Sequence, residues 1–137
     1  MIALDTNVLV RVVTADDPDQ LSSALKIFGS GPLWIPKTVL LETEWVLRFS
    51  YDLAPNAILD ALRGLLGLRN LEVEDRGAVL LALSLFETGV DFADALHLAS
   101  CKGAERFATF DRTLARRALK AHRQELPQVE LLSARKS

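Results

Sequence analysis

The chain has 137 residues, half of them hydrophobic and a quarter charged, with seven Gly and five Pro; this composition suits one buried core and excludes a disordered or low-complexity protein. A formal net charge of −2 argues against nucleic-acid binding driven by overall charge, and a single cysteine, Cys101, leaves no internal disulfide and no cysteine cluster for a structural zinc. The longest uncharged apolar stretch, residues 77–86, is too short to span a bilayer, and residues 1–10 lack a basic stretch and are interrupted by Asp5, so a cytoplasmic protein with no membrane partner is expected.

Residues 1–4 read as a buried strand that ends at Asp5, followed by helices over 7–13 and 19–28, the second with Pro18 near its start. A strand is expected at 33–35 and a helix over 37–50 after Pro36. On that helix a projection at about 100° per residue places Trp45, Phe49, Val46 and Val39 on one apolar arc with Glu42 inside it. Glu44 points away, at i,i+4 spacing from Arg48, where a surface ion pair belongs. A carboxylate on an apolar face needs a partner: a metal or catalytic role, a backbone group, or a buried Arg.

A helix over 55–67 follows, opened by Pro55. With the preceding helix it supplies Leu40, Leu41, Leu47, Ile58, Leu59, Leu62, Leu65 and Leu66, either as core or as a homodimer surface and a groove for a partner segment. Then come a strand at 71–73 and helices over 76–88 and 91–102. In VDFADALHLAS, Asp91 and Asp94 stand three apart at a helix start, sharing a face and favoured by the helix dipole with or without a metal. Cys101 is expected as a small buried residue of that helix, and His97 on its polar side. A strand at 107–110, a helix over 112–121 and a strand at 129–132 complete the chain.

Such alternation, without repeats or a linker, predicts one α/β domain over 1–137: a three-layer α/β/α sandwich with a mostly parallel central sheet. Ligands of such sheets bind beyond the carboxyl ends of the strands, where Asp5 and Asp111 fall. Either acid also suits a helix N-cap, as does Thr6. If Asp5, Glu42, Asp94 and Asp111 share one point, they cannot stay ionised without a cation, which predicts a hard metal.

Charge is unevenly placed. Residues 1–101 carry seven Lys or Arg against fourteen Asp or Glu, a net of −7, whereas residues 102–137 carry nine against four, a net of +5. The excess lies in Lys102, Arg106, Arg112, Arg116, Arg117, Lys120 and Arg123, around the helix that begins after Asp111. An acidic pocket for an ion beside a basic helix for a backbone suits metal-assisted attack on a phosphodiester, with Arg112 and Arg116 as expected RNA contacts; the alternative is a solvated helix face. The two histidines, His97 and His122, have no partners at zinc-ligand spacing, and no Gly-rich phosphate loop occurs. A phosphoacceptor receiver is disfavoured, because Asp52 follows a helix end and no lysine ends the 107–110 strand.

LDTN after an N-terminal strand, a glutamate in VLLETEWVL, the DFADALHLA segment and ATFD before the last helix together resemble the PIN domains, and among them the toxin ribonucleases of VapBC toxin–antitoxin systems. The resemblance covers nearly the whole chain and implies a PIN-like fold. It places the acidic, catalytic and metal-holding roles on Asp5, Glu42, Asp94 and Asp111, with Thr6, Asn7 and Thr109 as polar helpers and Asp91 in an outer, supporting position. It implies hydrolysis of RNA phosphodiesters with Mg²⁺ or Mn²⁺, a cognate antitoxin as partner, and a homodimer. The alternative is a non-catalytic PIN-like module whose acidic pocket binds a basic partner peptide.

Overall fold

The computed structural model describes residues 1–121 and 123–133. His122 therefore lies outside the described residues. Twelve elements form in the expected order, and the chain divides into two compact units, residues 1–76 and 77–137.

The first unit opens with β1 (Ile2–Ala3), α1 (Thr6–Thr14), α2 (Pro18–Phe28) and β2 (Leu33–Ile35). It continues with α3 (Lys37–Phe49), α4 (Pro55–Leu66) and β3 (Leu71–Val73). The three strands form a parallel sheet in the order β1-β2-β3, with Ile2 opposite Leu33 and Leu33 opposite Leu71. Leu33, Ile35, Leu71 and Val73 are buried, which is why the two later strands read as short apolar runs. The first strand does not behave as expected. Met1, Ile2 and Ala3 are exposed and only Leu4 is buried, whereas β3, at the other edge of the same sheet, buries Leu71 and Val73.

Helix starts follow the sequence signals. Asp5 caps α1 in extended conformation, and Asp17 caps α2 by accepting from the Gln20 N–H at 3.1 Å, with Pro18 in the first turn. The Lys37 N–H at the start of α3 donates to the Glu74 carboxylate at 2.9 Å, linking that helix to the end of β3. Leu40, Leu47, Ile58, Leu59, Leu62, Leu65 and Leu66 are all buried, and Leu41 is half-buried. These residues are core. They do not form the exposed dimer surface that their number suggested, since a stripe on each helix packs inward at i, i+3, i+4 and i+7.

A polar clasp closes α1 and α2. The Tyr51 hydroxyl accepts from the Arg11 guanidinium at 2.9 Å and donates to the Asp16 carboxylate at 2.7 Å, while the Thr14 hydroxyl donates to Asp16 at 2.8 Å. The Tyr51 hydroxyl, then that of Thr14, holds the Asp16 carboxyl below the usual range. Stability from this group is therefore present above the ordinary carboxylate range and is lost as pH falls through the lowered value. In Tyr51→Phe the Asp16 carboxyl is expected to titrate closer to its ordinary range, with a shallower loss of stability in acid. Carboxyl-carbon NMR titration and acid melts check both; an unmoved Asp16 would assign the shift to Thr14 and Arg11.

The second unit contains α5 (Arg76–Glu87), which begins at the boundary, α6 (Phe92–Ala99), β4 (Arg106–Thr109), α7 (Arg112–Ala121) and β5 (Gln128–Leu131). β4 and β5 pair in parallel, Phe107 opposite Val129 and Thr109 opposite Leu131. All strand pairs among the described residues are thus parallel, as expected, but they fall into a three-stranded and a two-stranded sheet. Phe92, fully buried, packs edge-on against Phe86 with ring centres 5.6 Å apart. Cys101 is half-buried and lies in the turn after α6, not on the helix, since α6 ends at Ala99.

Candidate functional site

In the first unit, the chain leaves β1 through buried Leu4 and turns into α1 at Asp5. The Asp5 carboxylate accepts from the Thr6 N–H at 2.8 Å, so the capping role is real and leaves the exposed carboxylate with further acceptor capacity. Thr6 is buried, and its hydroxyl donates to the Glu42 carboxylate, linking α1 to α3. Two of the expected residues are thus brought together, and the helper role of Thr6 is to orient Glu42. Asn7 is exposed and lines a groove of about 520 Å³ between α1 and α2 with Val8, Arg11, Ser23 and Ala24.

The face of α3 is the reverse of the expected one. Glu42 is exposed, while Glu44 is 1% exposed and accepts two hydrogen bonds from Arg48, from Nε at 2.9 Å and from Nη2 at 3.2 Å. The inward stripe is Leu40, Thr43, Glu44 and Leu47, and the supposed apolar arc is open, with Trp45 53% and Phe49 63% exposed. Polar residues can occupy the stripe because each is satisfied: the Thr43 hydroxyl donates to the Val39 carbonyl at 2.7 Å, and Arg48 serves Glu44. Arg48 also lies 4.7 Å from the centre of the Phe49 ring, so a buried acid and an exposed aromatic share one cation.

In the second unit, Asp91 stands at the N-cap of α6 and Asp94 in its first turn, both half-buried. Burial, then the negative charges of Asp91 and Asp111, raise the Asp94 carboxyl above the usual carboxylate range, against smaller opposing effects of His97 and Arg117. Asp111 follows β4 and caps α7, accepting from the Leu114 N–H at 3.0 Å. The Thr109 hydroxyl accepts from the Asp111 N–H at 3.0 Å, and in doing so fixes the turn that presents Asp111. That contact gives the expected helper a definite structural role. His97 is exposed, as expected.

Arg112 and Arg116 are exposed on α7. Arg117, whose charge is felt at Asp94, belongs to the basic excess read from the sequence but was not singled out as a contact there. The available signal was that the basic residues of α7 form one broad face, Arg112, Arg116, Lys120 and Arg117 falling in that order within about 140° of its circumference.

The donor chemistry suits a small hard divalent cation: the candidates offer carboxylate, hydroxyl and amide oxygens, and a cation would offset both the burial and the neighbouring acids that raise Asp94. Among the described residues, no three or more His, Cys, Asp or Glu side chains are grouped so as to hold an ion. Among them, too, no helix is long and apolar enough to cross a membrane.

The PIN domain family pattern matches residues 2–120, across both units. The chain belongs to the PIN domain family. PIN domains are in general nucleases that use divalent metals, and their three-layer α/β/α fold agrees with the seven helices and parallel strands of this one. Among curated proteins nothing matches this PIN domain chain.

Proposed function

We propose that this PIN domain is a metal-dependent endoribonuclease of the VapC type, acting as the toxin of a toxin–antitoxin pair and working as one domain over 1–137. Asp5, Glu42, Asp94 and Asp111 are its acidic residues, supported by Thr6, Asn7, Asp91 and Thr109. The observation that carries the reading is membership of a family of nucleases; it is supported by the Asp94 carboxyl, raised first by burial and then by the charges of Asp91 and Asp111.

Bound Mg²⁺ or Mn²⁺ would supply an acidified water and offset the charge that builds on the scissile phosphate. Asp94 and Asp111 would hold the ion, with Asp111 kept in place by its cap and by Thr109. Glu42, oriented by Thr6, would act as a proton acceptor. Arg112 and Arg116 hold the RNA backbone by charge. The groove between α1 and α2 is offered to an antitoxin segment, and exposed Trp45 and Phe49 to a second copy.

The test is cleavage of a pool of structured RNAs by antitoxin-free protein with Mn²⁺, with Mg²⁺ and with chelator. Cleavage confined to the metal-loaded samples is expected. Absence of cleavage, together with tight binding of an arginine-bearing peptide that competes with Mn²⁺, would instead select the non-catalytic module.

A further inference from the structure

We propose that Arg116, Arg117 and Lys120 of α7, with the turn at Thr88 and Gly89, form a subsite for one backbone phosphate of the RNA, beside the acids of the second unit. The inference rests on the nuclease reading and extends it to the strand that flanks the cleaved bond. These residues line a pocket of about 480 Å³ with Ala121. Positions 116, 117 and 120 fall within about 100° of the helix circumference, so three cations share one face.

No ion pair engages Arg116, Arg117 or Lys120 among the described residues, whereas Arg106 meets Glu130 at 2.9 Å and Arg11 meets Asp16 at 3.3 Å. Among the described residues no acid lines the pocket. The carbonyls at the end of α5 are already occupied: that of Leu85 accepts from the Thr88 and Val90 N–H groups, and that of Phe86 from Gly89. The Thr88 hydroxyl also donates to Leu85, at 2.7 Å, so its hydrogen is spent. Gly89 holds this turn at φ +107°, a conformation that side-chain-bearing residues rarely adopt. The wall is therefore fixed and uncharged, and the cations are left for an external anion.

Two observations place that anion near the reaction. α7 starts at its cap Asp111, and Arg117 lies roughly 9 Å further along the axis at 1.5 Å per residue. The charge of Arg117 also reaches Asp94. A backbone phosphate fits better than an acidic peptide, because the walls between the cations are Thr88, Gly89 and Ala121, with no bulky apolar side chain among them to seat a peptide anchor.

The experiment measures binding of a labelled single-stranded RNA by anisotropy, in chelator, across a salt series. The double variant Arg117→Ala/Lys120→Ala is expected to bind several-fold more weakly, with a log–log salt slope shallower by about 0.7, the value for one lost phosphate on single-stranded nucleic acid. Arg117→Lys/Lys120→Arg is expected to keep the slope, and Arg106→Ala to leave it unchanged. A native slope in the alanine variant, loss of slope in the charge-preserving variant, or displacement of an acidic peptide but not of RNA would each overturn the subsite. Inorganic phosphate that competes as strongly as RNA on a concentration basis would also overturn it, pointing to a free-anion site. All three residues are exposed, so melting temperatures should match; if the double variant unfolds, Arg117→Gln alone serves. A changed slope without Mn²⁺-dependent cleavage by the native chain would refute the nuclease reading and keep the subsite, and cleavage with an unchanged slope would do the reverse.

Discussion

In chelator at neutral pH, Asp94→Asn is expected to melt above the native chain, to gain nothing from Mn²⁺, and to have lost RNA cleavage. The Asp94 carboxyl is raised first by burial and then by Asp91 and Asp111. A carboxyl that holds its proton more tightly when folded favours folding below the ordinary carboxylate range. That contribution is lost as pH rises through the raised folded value, so at pH 7 the ionised group is a cost. Asparagine keeps the shape and removes the charge. The stabilisation of the variant should therefore fade toward acid, where the native carboxyl is protonated as well. The native chain should in turn rise with metal. At a hundred times the dissociation constant the gain is about 2.7 kcal/mol, or roughly 8 °C for a domain of this size. Paired thermal melts with chelator and with Mn²⁺, at pH 7 and pH 4, measure all of this. A variant that melts lower in chelator, or that still rises with Mn²⁺ as the native chain does, would mean that Asp94 is a structural acid.

The order of elements was legible because punctuation is dense. Pro18, Pro36 and Pro55 stand at helix starts, Asp5, Asp17 and Asp111 cap the helices that follow them, and apolar runs such as 33–35 and 71–73 are short enough to be strands only. Facing was less legible. Residues 1–4 look buried by composition, yet only Leu4 is, since which strand is covered depends on the elements packed on it and not on the run itself. On α3 the bulkiest apolar side chains, Trp45 and Phe49, are the exposed ones, while the inward stripe contains a threonine and a glutamate. A projection weighted by hydrophobicity follows the aromatics, because it cannot see that Val39 and Arg48 satisfy the two polar groups. The acids themselves were legible from resemblance. The hydroxyls that orient them were named, but the contacts they make were not, since a bond between residues 6 and 42 spans two helices.

The two glutamates of α3 are expected to separate activity from stability. Glu42 is exposed and touches α1 through the Thr6 hydroxyl, which an amide oxygen can still accept. Glu42→Gln should leave stability within about 0.5 kcal/mol of native, as exposed substitutions usually do. Its cleavage rate should fall by about 100-fold or more, the usual cost of losing a positioned proton acceptor. Glu44 is the opposite case. Its carboxylate is buried and takes two charge-assisted bonds from Arg48, so Glu44→Gln weakens both. A loss of about 2 kcal/mol follows from the strength of such bonds, discounted because Arg48 is partly in water. That corresponds to a melting temperature lower by roughly 7 °C. Below that temperature the folded Glu44→Gln protein should cleave RNA at the native rate. The opposite pattern, with cleavage abolished in stably folded Glu44→Gln and retained in Glu42→Gln, would transfer the helix acid of this PIN domain from Glu42 to Glu44 and make Arg48 its partner in the site.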